Sequence, residues 1–139
     1  MITRLGHTTM FVLDQAKAFE IYVNVLGFKV HTDMTMEGGF RWLTVTAPKE
    51  PSLEIVLAEA KPPILEDQDA ALVRQLLERN ALGAGVLECD DCEATFKKLS
   101  AQGIEFTKTP TKEFYGIEAV FKDGCGNWFS LTERMPPQP

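Results

Sequence analysis

The chain has 139 residues, 45% of them hydrophobic, which is enough to build the core of one domain or of two small fused half-domains. Fourteen Lys and Arg residues against twenty Asp and Glu residues give a net charge of −6, and no basic run or stripe is present. Nucleic acids and membrane surfaces bind clustered cations, so both are disfavoured as partners, and no apolar run is long enough to span a bilayer.

The start of the chain lacks the apolar segment of a secretory signal, and the cysteine count of three is odd. Both features predict a reducing, cytoplasmic location. Cys89 and Cys92 match a C-x-x-C spacing, but no second cysteine pair accompanies them to complete a zinc site. We therefore interpret this pair as structural.

The first half of the chain, about residues 3–58, predicts one strand, one helix and three further strands. Alternation of apolar and polar residues predicts the first strand over 5–12, and Asp14 then caps a helix over about 15–25 that ends at Gly27. A second strand begins over 28–31, and residues 34–38 read as a loop. Strands are predicted over 39–46 and 53–57.

The connector, residues 59–81, contains a short amphipathic helix predicted over 67–80. It either packs outside the sheet or forms a lid over a pocket.

The second half, about residues 82–133, repeats the order of the first half. A strand over 83–89 leads to a helix over 92–101 capped by Asp91, and strands follow over 104–106, 116–121 and 128–132. Residues 110–115 are predicted to be a loop, and residues 134–139 a loose tail.

The two halves align with a nearly constant offset. His7 corresponds to Ala84, Asp14 to Asp91 and Gly39 to Gly116, and a one-residue slip brings Glu54 to Ser130. Such self-similarity indicates two copies of one supersecondary unit. We therefore predict an α+β fold of two tandem βαβββ units, whose mixed sheets form a cleft within one domain over residues 1–139.

These motifs resemble the vicinal oxygen chelate superfamily, which includes glyoxalases, bleomycin-resistance proteins and extradiol dioxygenases. The resemblance rests on His7, Asp14 and Phe19, on Leu26-Gly27-Phe28, and on the turn Asp123-Gly124-Cys125-Gly126-Asn127. It covers roughly residues 3–133. It implies the paired βαβββ fold and a small-molecule site, and members of similar length often form homodimers.

The resemblance also implies four metal-ligand positions, one on the first and one on the last strand of each half. In this chain they are His7, Glu54, Ala84 and Ser130. Imidazole and carboxylate suit a divalent metal such as Zn, Ni, Fe or Mn, whereas alanine cannot ligate and neutral serine ligates poorly. Two of the four ligands are therefore present, and both belong to the first half.

Strand alternation predicts which other side chains line the cleft with His7 and Glu54. Glu54 interrupts an apolar strand, so its carboxylate needs a partner, of which His7 is the nearest candidate and Arg41 the next. Arg41 also corresponds to Glu118, so an opposite-charge pair on the third strands is possible. Trp42, Tyr115 and Trp128 either stack on a planar ligand or belong to the core. The further predicted lining residues are Thr9, Phe11, Val56, Val86, Glu88 and Ser130.

Three functions are compatible with this site. The incomplete ligand set favours a metal-independent protein that binds a small apolar or aromatic compound, as bleomycin-resistance proteins do. The first alternative is a glyoxalase-like lyase or isomerase, or a dioxygenase, that uses a divalent metal held by His7 and Glu54, with waters or the Glu88 carboxylate as the remaining ligands. The second is a metal-free enzyme with Glu54 as a general base oriented by His7.

Overall fold

The two halves of the sequence repeat each fold into a separate four-stranded sheet. A computed structural model describes residues 1–136, and the chain divides into one compact unit over Met1–Glu78 and a second that starts at Arg79. Each unit has a mixed sheet and the order strand, helix and three strands. This confirms the predicted α+β fold of paired βαβββ units.

The first unit has the strand order β1-β4-β3-β2, with β1 parallel to β4 and the other neighbours antiparallel. The predicted first helix changes to π-helical geometry after its first turn, and the predicted connector helix is present. The elements are β1 (His7–Val12), α1 (Gln15–Phe19) with its π-helical continuation (Glu20–Val25), β2 (Lys29–Thr35), β3 (Arg41–Ala47), β4 (Glu50–Glu59) and α2 (Asp67–Glu78).

The second unit repeats this arrangement in the order β5-β8-β7-β6, and here β5 is parallel to β8. The elements are β5 (Leu82–Glu88), α3 (Cys92–Ala101), β6 (Glu105–Glu113), β7 (Gly116–Lys122) and β8 (Asn127–Arg134). The helix bounds agree with the sequence prediction. None of the helices within residues 1–136 is both long and apolar enough to cross a membrane.

Both helices after the first strand of a unit are anchored in the same way at their N-termini. The Asp14 carboxylate accepts from the backbone N–H groups of the first turn of α1, and Asp91 does so for α3, as predicted. A glutamate near the end of the last strand adds a second contact: Glu59 accepts from the Gln15 N–H at 2.9 Å and Glu133 from the Cys92 N–H at 2.8 Å. Each helix is thus held over its own sheet.

One face of each sheet is buried against the helix of its unit. In the first unit Tyr22 is fully buried, donates a hydrogen bond to Met10 Sδ at 3.5 Å and meets Phe28 edge-on. In the second unit, aromatic rings form a chain across the sheet, and such pairs stabilise beyond their buried area. These rings are Phe96, Phe106, Phe121 and Phe129. The opposite face of each sheet carries the polar side chains considered below.

Two strands extend into segments predicted as loops. β2 continues through Met34 to Thr35, and β6 covers most of residues 110–115. Pro110 lies in β6 where the register shifts between Lys108 and Thr111, a place where its missing N–H breaks no regular pairing. Because Pro110 lies at this irregularity, it does not end β6.

The predicted loose tail is ordered at its start. Arg134 is the last residue of β8 and pairs with Gly116, and the Met135 N–H donates to the Tyr115 carbonyl at 3.3 Å. The rest of that prediction, residues 137–139, lies outside the described residues.

Candidate functional site

Glu54 is the centre of a hydrogen-bonded cluster on the first sheet. His7 Nε2 lies 2.8 Å from Glu54 Oε2, and His31 Nδ1 lies 2.9 Å from Glu54 Oε1. The buried Thr44 hydroxyl also donates to Oε1, at 2.9 Å. The Glu54 side chain is mostly buried, and both histidines are about half exposed. We call His7, His31 and Glu54 the histidine cluster.

The sequence pattern places His7 beside Glu54 but does not reveal His31. The pairing of β2 with β3 shifts between Val30 and Thr32, so His31 sits in a β-bulge. A bulge interrupts the alternation of faces and lets His31 reach the same carboxylate as His7. A register shift of this kind has no signature in apolar periodicity.

Arg41 does not pair with Glu54, which corrects the second partner predicted for that carboxylate. Its guanidinium makes two 2.8 Å hydrogen bonds to the Asp33 carboxylate and lies over the Phe19 ring. The pair lowers the pKa of Asp33, chiefly through these hydrogen bonds. Each third-strand charge pairs with the second strand of its own unit: Arg41 with Asp33, and Glu118 with Lys108.

The second sheet carries a concavity of about 490 Å³. Its lining combines apolar side chains with hydroxyl, carboxylate and guanidinium groups, a mixture typical of small-molecule sites. We call it the second-sheet pocket. The residues that line it are Val86, Tyr115, Glu118, Ser130, Thr132, Arg134 and Met135.

Glu118 is the polar centre of this pocket. Its Oε1 accepts from Lys108 Nζ and from the Tyr115 hydroxyl, both at 2.8 Å, and its Oε2 accepts from the Ser130 hydroxyl at 2.5 Å. Lys108 and then Ser130 and Tyr115 hold the pKa of Glu118 down at about 2. Glu118 is therefore a fully paired carboxylate at neutral pH, and Tyr115 keeps its proton because the same contact raises its pKa.

The rim of the pocket carries an ion pair. Arg134 Nε lies 2.9 Å from Glu88 Oε1, and both side chains are largely exposed. Such a pair contributes little to stability in water, so its groups are available to a ligand.

Sheet pairing changes the correspondence of Ser130 with Glu54. Thr9 pairs with Val56 in the first sheet, and the corresponding Val86 pairs with Ser130 in the second. Ser130 therefore occupies the place of Val56, two residues from the position predicted. A register shift in β5 between Gly83 and Gly85, at Ala84, contributes one of these two residues.

Trp128 lies on the same strand as Ser130 and packs against Gly83. A Cβ atom at residue 83 would lie 2.6 Å from Trp128 Cζ2, so the ring occupies the space that any side chain would need. The indole is 39% exposed. Trp128 is thus a partly open aromatic surface beside the second-sheet pocket.

We expect Gly83→Ala to displace the Trp128 ring. In a Trp42→Phe background, which leaves Trp128 as the fluorophore, the emission maximum should shift and stability should fall by about 1 kcal/mol. Gly6→Ala is the matched control, because Gly6 is the repeat counterpart and its Cβ would make ordinary contacts at 3.7 Å. Unchanged emission in the Gly83 variant would show that Trp128 does not rest on Gly83.

The other predicted lining residues lie in varied surroundings. Thr9 is exposed on β1 and Phe11 half-buried, whereas Val56 is buried. The Trp42 ring centroid lies 6.1 Å from that of His7. The structure thus places predicted residues beside both the histidine cluster and the second-sheet pocket.

A sequence model of the Glyoxalase/Bleomycin resistance protein/Dioxygenase superfamily matches residues 4–131. The chain belongs to this superfamily. Among solved structures, UcmS2 is 42% identical with a TM-score of 0.88, and the match covers 96% of this chain and 99% of that one. TnmS3, an antibiotic binding protein from Streptomyces sp. CB03234, is 28% identical with a TM-score of 0.74 over 96% and 98% of the two chains. YurT from Bacillus subtilis is 30% identical over 91% of this chain and 96% of its own length.

The donors of the histidine cluster contact one another and are not arranged around the divalent metal that superfamily membership implies. A metal needs the lone pairs of several donors to converge on one point at about 2.0–2.2 Å. Here each imidazole nitrogen faces a different oxygen of Glu54, at hydrogen-bonding distance. Within residues 1–136 no three His, Cys, Asp or Glu side chains are arranged to hold a metal ion.

Proposed function

We propose that this protein binds a small apolar or aromatic compound in the second-sheet pocket and releases it unchanged. The observation that carries the proposal is the composition of that pocket. Val86 and Met135 offer apolar surface, Tyr115 an aromatic face, and Ser130 and Thr132 a few fixed polar groups. This is the usual make-up of a site that recognises a compact organic molecule.

The charges of the pocket also support binding in preference to chemistry. The Glu118 carboxylate accepts three hydrogen bonds and has a pKa of about 2, so it is a poor base at neutral pH. TnmS3, which shares the fold over nearly the whole chain, is an antibiotic binding protein. We extend that class of function, the binding of an antibiotic-like compound, to this chain as part of the proposal.

Equilibrium dialysis with 2-naphthol, a compact aromatic probe, tests this function. We expect one molecule to bind per chain, to bind equally after EDTA treatment, and to be recovered unchanged by mass spectrometry. Val86→Asp places a charge on the pocket wall and should weaken binding at least about tenfold. Leu72→Asp, at an equally exposed apolar residue of α2, should leave the affinity unchanged.

Three results would contradict the proposal. They are the absence of binding, equal affinity in the Val86→Asp protein, and conversion of the probe. Stoichiometric Zn, Ni, Fe or Mn in the purified protein, together with loss of binding on its removal, would favour the metal-dependent enzyme.

One observation favours a second candidate, acid–base chemistry at the histidine cluster. Glu54 lies between two imidazoles at 2.8 and 2.9 Å, an arrangement that can pass a proton from one ring to the other. Glu54→Gln would then abolish any turnover found in a substrate screen and leave 2-naphthol binding intact. A flat activity profile between about pH 5 and 8 would count against this candidate.

We further propose that the protein is a cytoplasmic homodimer. Cys89 and Cys92 are free thiols, which suits a reducing compartment, and Phe114 is an exposed apolar side chain that a partner could cover. Light scattering of the purified protein would give the oligomeric state.

A further inference from the structure

The hydroxyl groups of the second-sheet pocket form a chain with a fixed direction. Glu118 is a carboxylate, and a carboxylate can only accept hydrogen bonds. Ser130 Oγ lies 2.5 Å from Glu118 Oε2, so the Ser130 hydrogen points at Glu118. The Tyr115 hydrogen points at the same carboxylate, over 2.8 Å.

Thr132 continues the chain. Its hydroxyl oxygen lies 3.0 Å from Ser130 Oγ, and either oxygen could in principle donate. Because Ser130 has a single hydrogen and gives it to Glu118, the hydrogen in this contact must come from Thr132. All three hydroxyl hydrogens are therefore directed along the wall toward Glu118.

What remains available on this wall are lone pairs. The oxygens of Tyr115, Ser130 and Thr132 have no hydrogen left to give, but each can still accept. Arg134, in contrast, can only donate, because a guanidinium has five N–H donors and no acceptor. Its Nε contacts Glu88. The pocket thus has an accepting wall and a donating rim.

We infer that the pocket selects aromatic compounds that carry a hydrogen-bond donor, a phenolic hydroxyl or an aromatic amine, and that place it against Tyr115, Ser130 and Thr132. An acceptor or anionic group on the same compound would face Arg134. This specificity rests on the proposed binding function and names the class of ligand for it. The wall formed by Tyr115, Ser130 and Thr132 favours a hydrogen-bond donor, because an acceptor placed there would meet lone pairs and lose its hydrogen bond to water.

A matched pair of probes tests the inference. 2-Naphthol and 2-methoxynaphthalene share one ring system, but only the naphthol can donate a hydrogen bond. We expect wild-type protein to bind the naphthol about fivefold more tightly, the ratio that one hydrogen bond gives. A merely apolar pocket would prefer the methoxy compound, because it is the more hydrophobic of the two.

Variants of the wall complete the test. Thr132→Val and Ser130→Ala remove one acceptor each, and each should lower the preference for the naphthol while affinity for the methoxy compound stays within about twofold. Ser100→Ala, an exposed serine of α3, should keep the preference. Two variants are used so that a folding defect in one leaves the other decisive.

The outcomes separate the two proposals. If both probes bind equally, or the methoxy compound binds more tightly, the inferred specificity is wrong and the binding function stands. If the preference survives both hydroxyl deletions, the wall is not its source, and the inference is overturned. If neither naphthalene binds, the binding function itself fails, and the inference with it.

Discussion

Gly116→Ala should lower the melting temperature by about 10 °C, corresponding to about 3 kcal/mol of unfolding free energy. Gly116 begins β7 with a φ of +148°, and a Cβ there would clash with the Glu133 carbonyl oxygen. An ordinary side chain in such a backbone conformation costs about 1–3 kcal/mol, and backbone atoms cannot move aside as a side-chain tip can. Thermal unfolding of the two proteins measures the effect.

Gly39→Ala is the matched control for this prediction. Gly39 is the repeat counterpart of Gly116 and also has a positive φ, +89°, but nothing lies within 4 Å of its Cβ position. The Gly39→Ala protein should lose only the cost of the unfavourable backbone conformation, about 1 kcal/mol of unfolding free energy. If the two variants are equally stable, the close approach of Gly116 to β8 is not real. The Gly116 variant should also bind 2-naphthol less well, because Tyr115 adjoins it.

Acid should destabilise the wild-type protein through Glu118, and Glu118→Gln should remove that part of the pH dependence. The pKa of Glu118 is about 2 in the folded protein against 4.5 ordinarily, with Lys108 as the main cause. A lowered pKa contributes stability that is complete above about pH 4.5 and is lost as the pH falls toward 2. The loss of unfolding free energy should be about 1–2 kcal/mol. This is less than the full pKa shift of Glu118 would give, because Lys108 is one-third exposed and water screens the pair.

Urea unfolding at pH 7 and at pH 2.5 measures this contribution. The stability difference between wild type and Glu118→Gln should shrink by that amount at the lower pH. Glu113→Gln removes the other carboxylate on Lys108, at 2.9 Å, but leaves Ser130 and Tyr115 on Glu118. It should keep most of the wild-type pH dependence. A difference that is the same at both pH values would mean that Glu118 is not held as a carboxylate by these partners.

The sequence predicts the fold because its signals are local and repeated. Asp14 and Asp91 cap their helices as expected from their place before an apolar helical stripe, and Gly27 takes the positive φ, +80°, that ends the first helix. The doubled pattern then requires two similar sheets. None of these inferences depends on contacts distant in sequence.

The site was harder to predict because bulges decide which side chains meet. The shift at His31 brings a second imidazole to Glu54, and the shift at Ala84 moves Ser130 opposite Val86. Alternation along a strand fixes the face of a residue only while the register is regular. Arg41 is the next candidate partner of Glu54 in the sequence because the two charges are opposite, but Asp33 on β2 accepts two hydrogen bonds from the Arg41 guanidinium.

Glu118 shows a second limit of the sequence. It was noted only as the counterpart of Arg41, yet its three donors come from β6, from the β6–β7 turn and from β8. Their common target depends on the pairing of three strands. Strand alternation puts Ser130 and Thr132 on one face, but the sequence gives no reason to direct the hydroxyl groups at Glu118.

The central claim is that a small aromatic compound binds at the second-sheet pocket. Backbone amide chemical shifts of ¹⁵N-labelled protein, recorded during titration with 2-naphthol, test it most directly. We predict saturable shifts concentrated at Val86, Tyr115, Ser130 and Thr132, with His7 and Glu54 little changed. Shifts concentrated at His7, His31 and Glu54 would contradict the account and move the binding site to the histidine cluster.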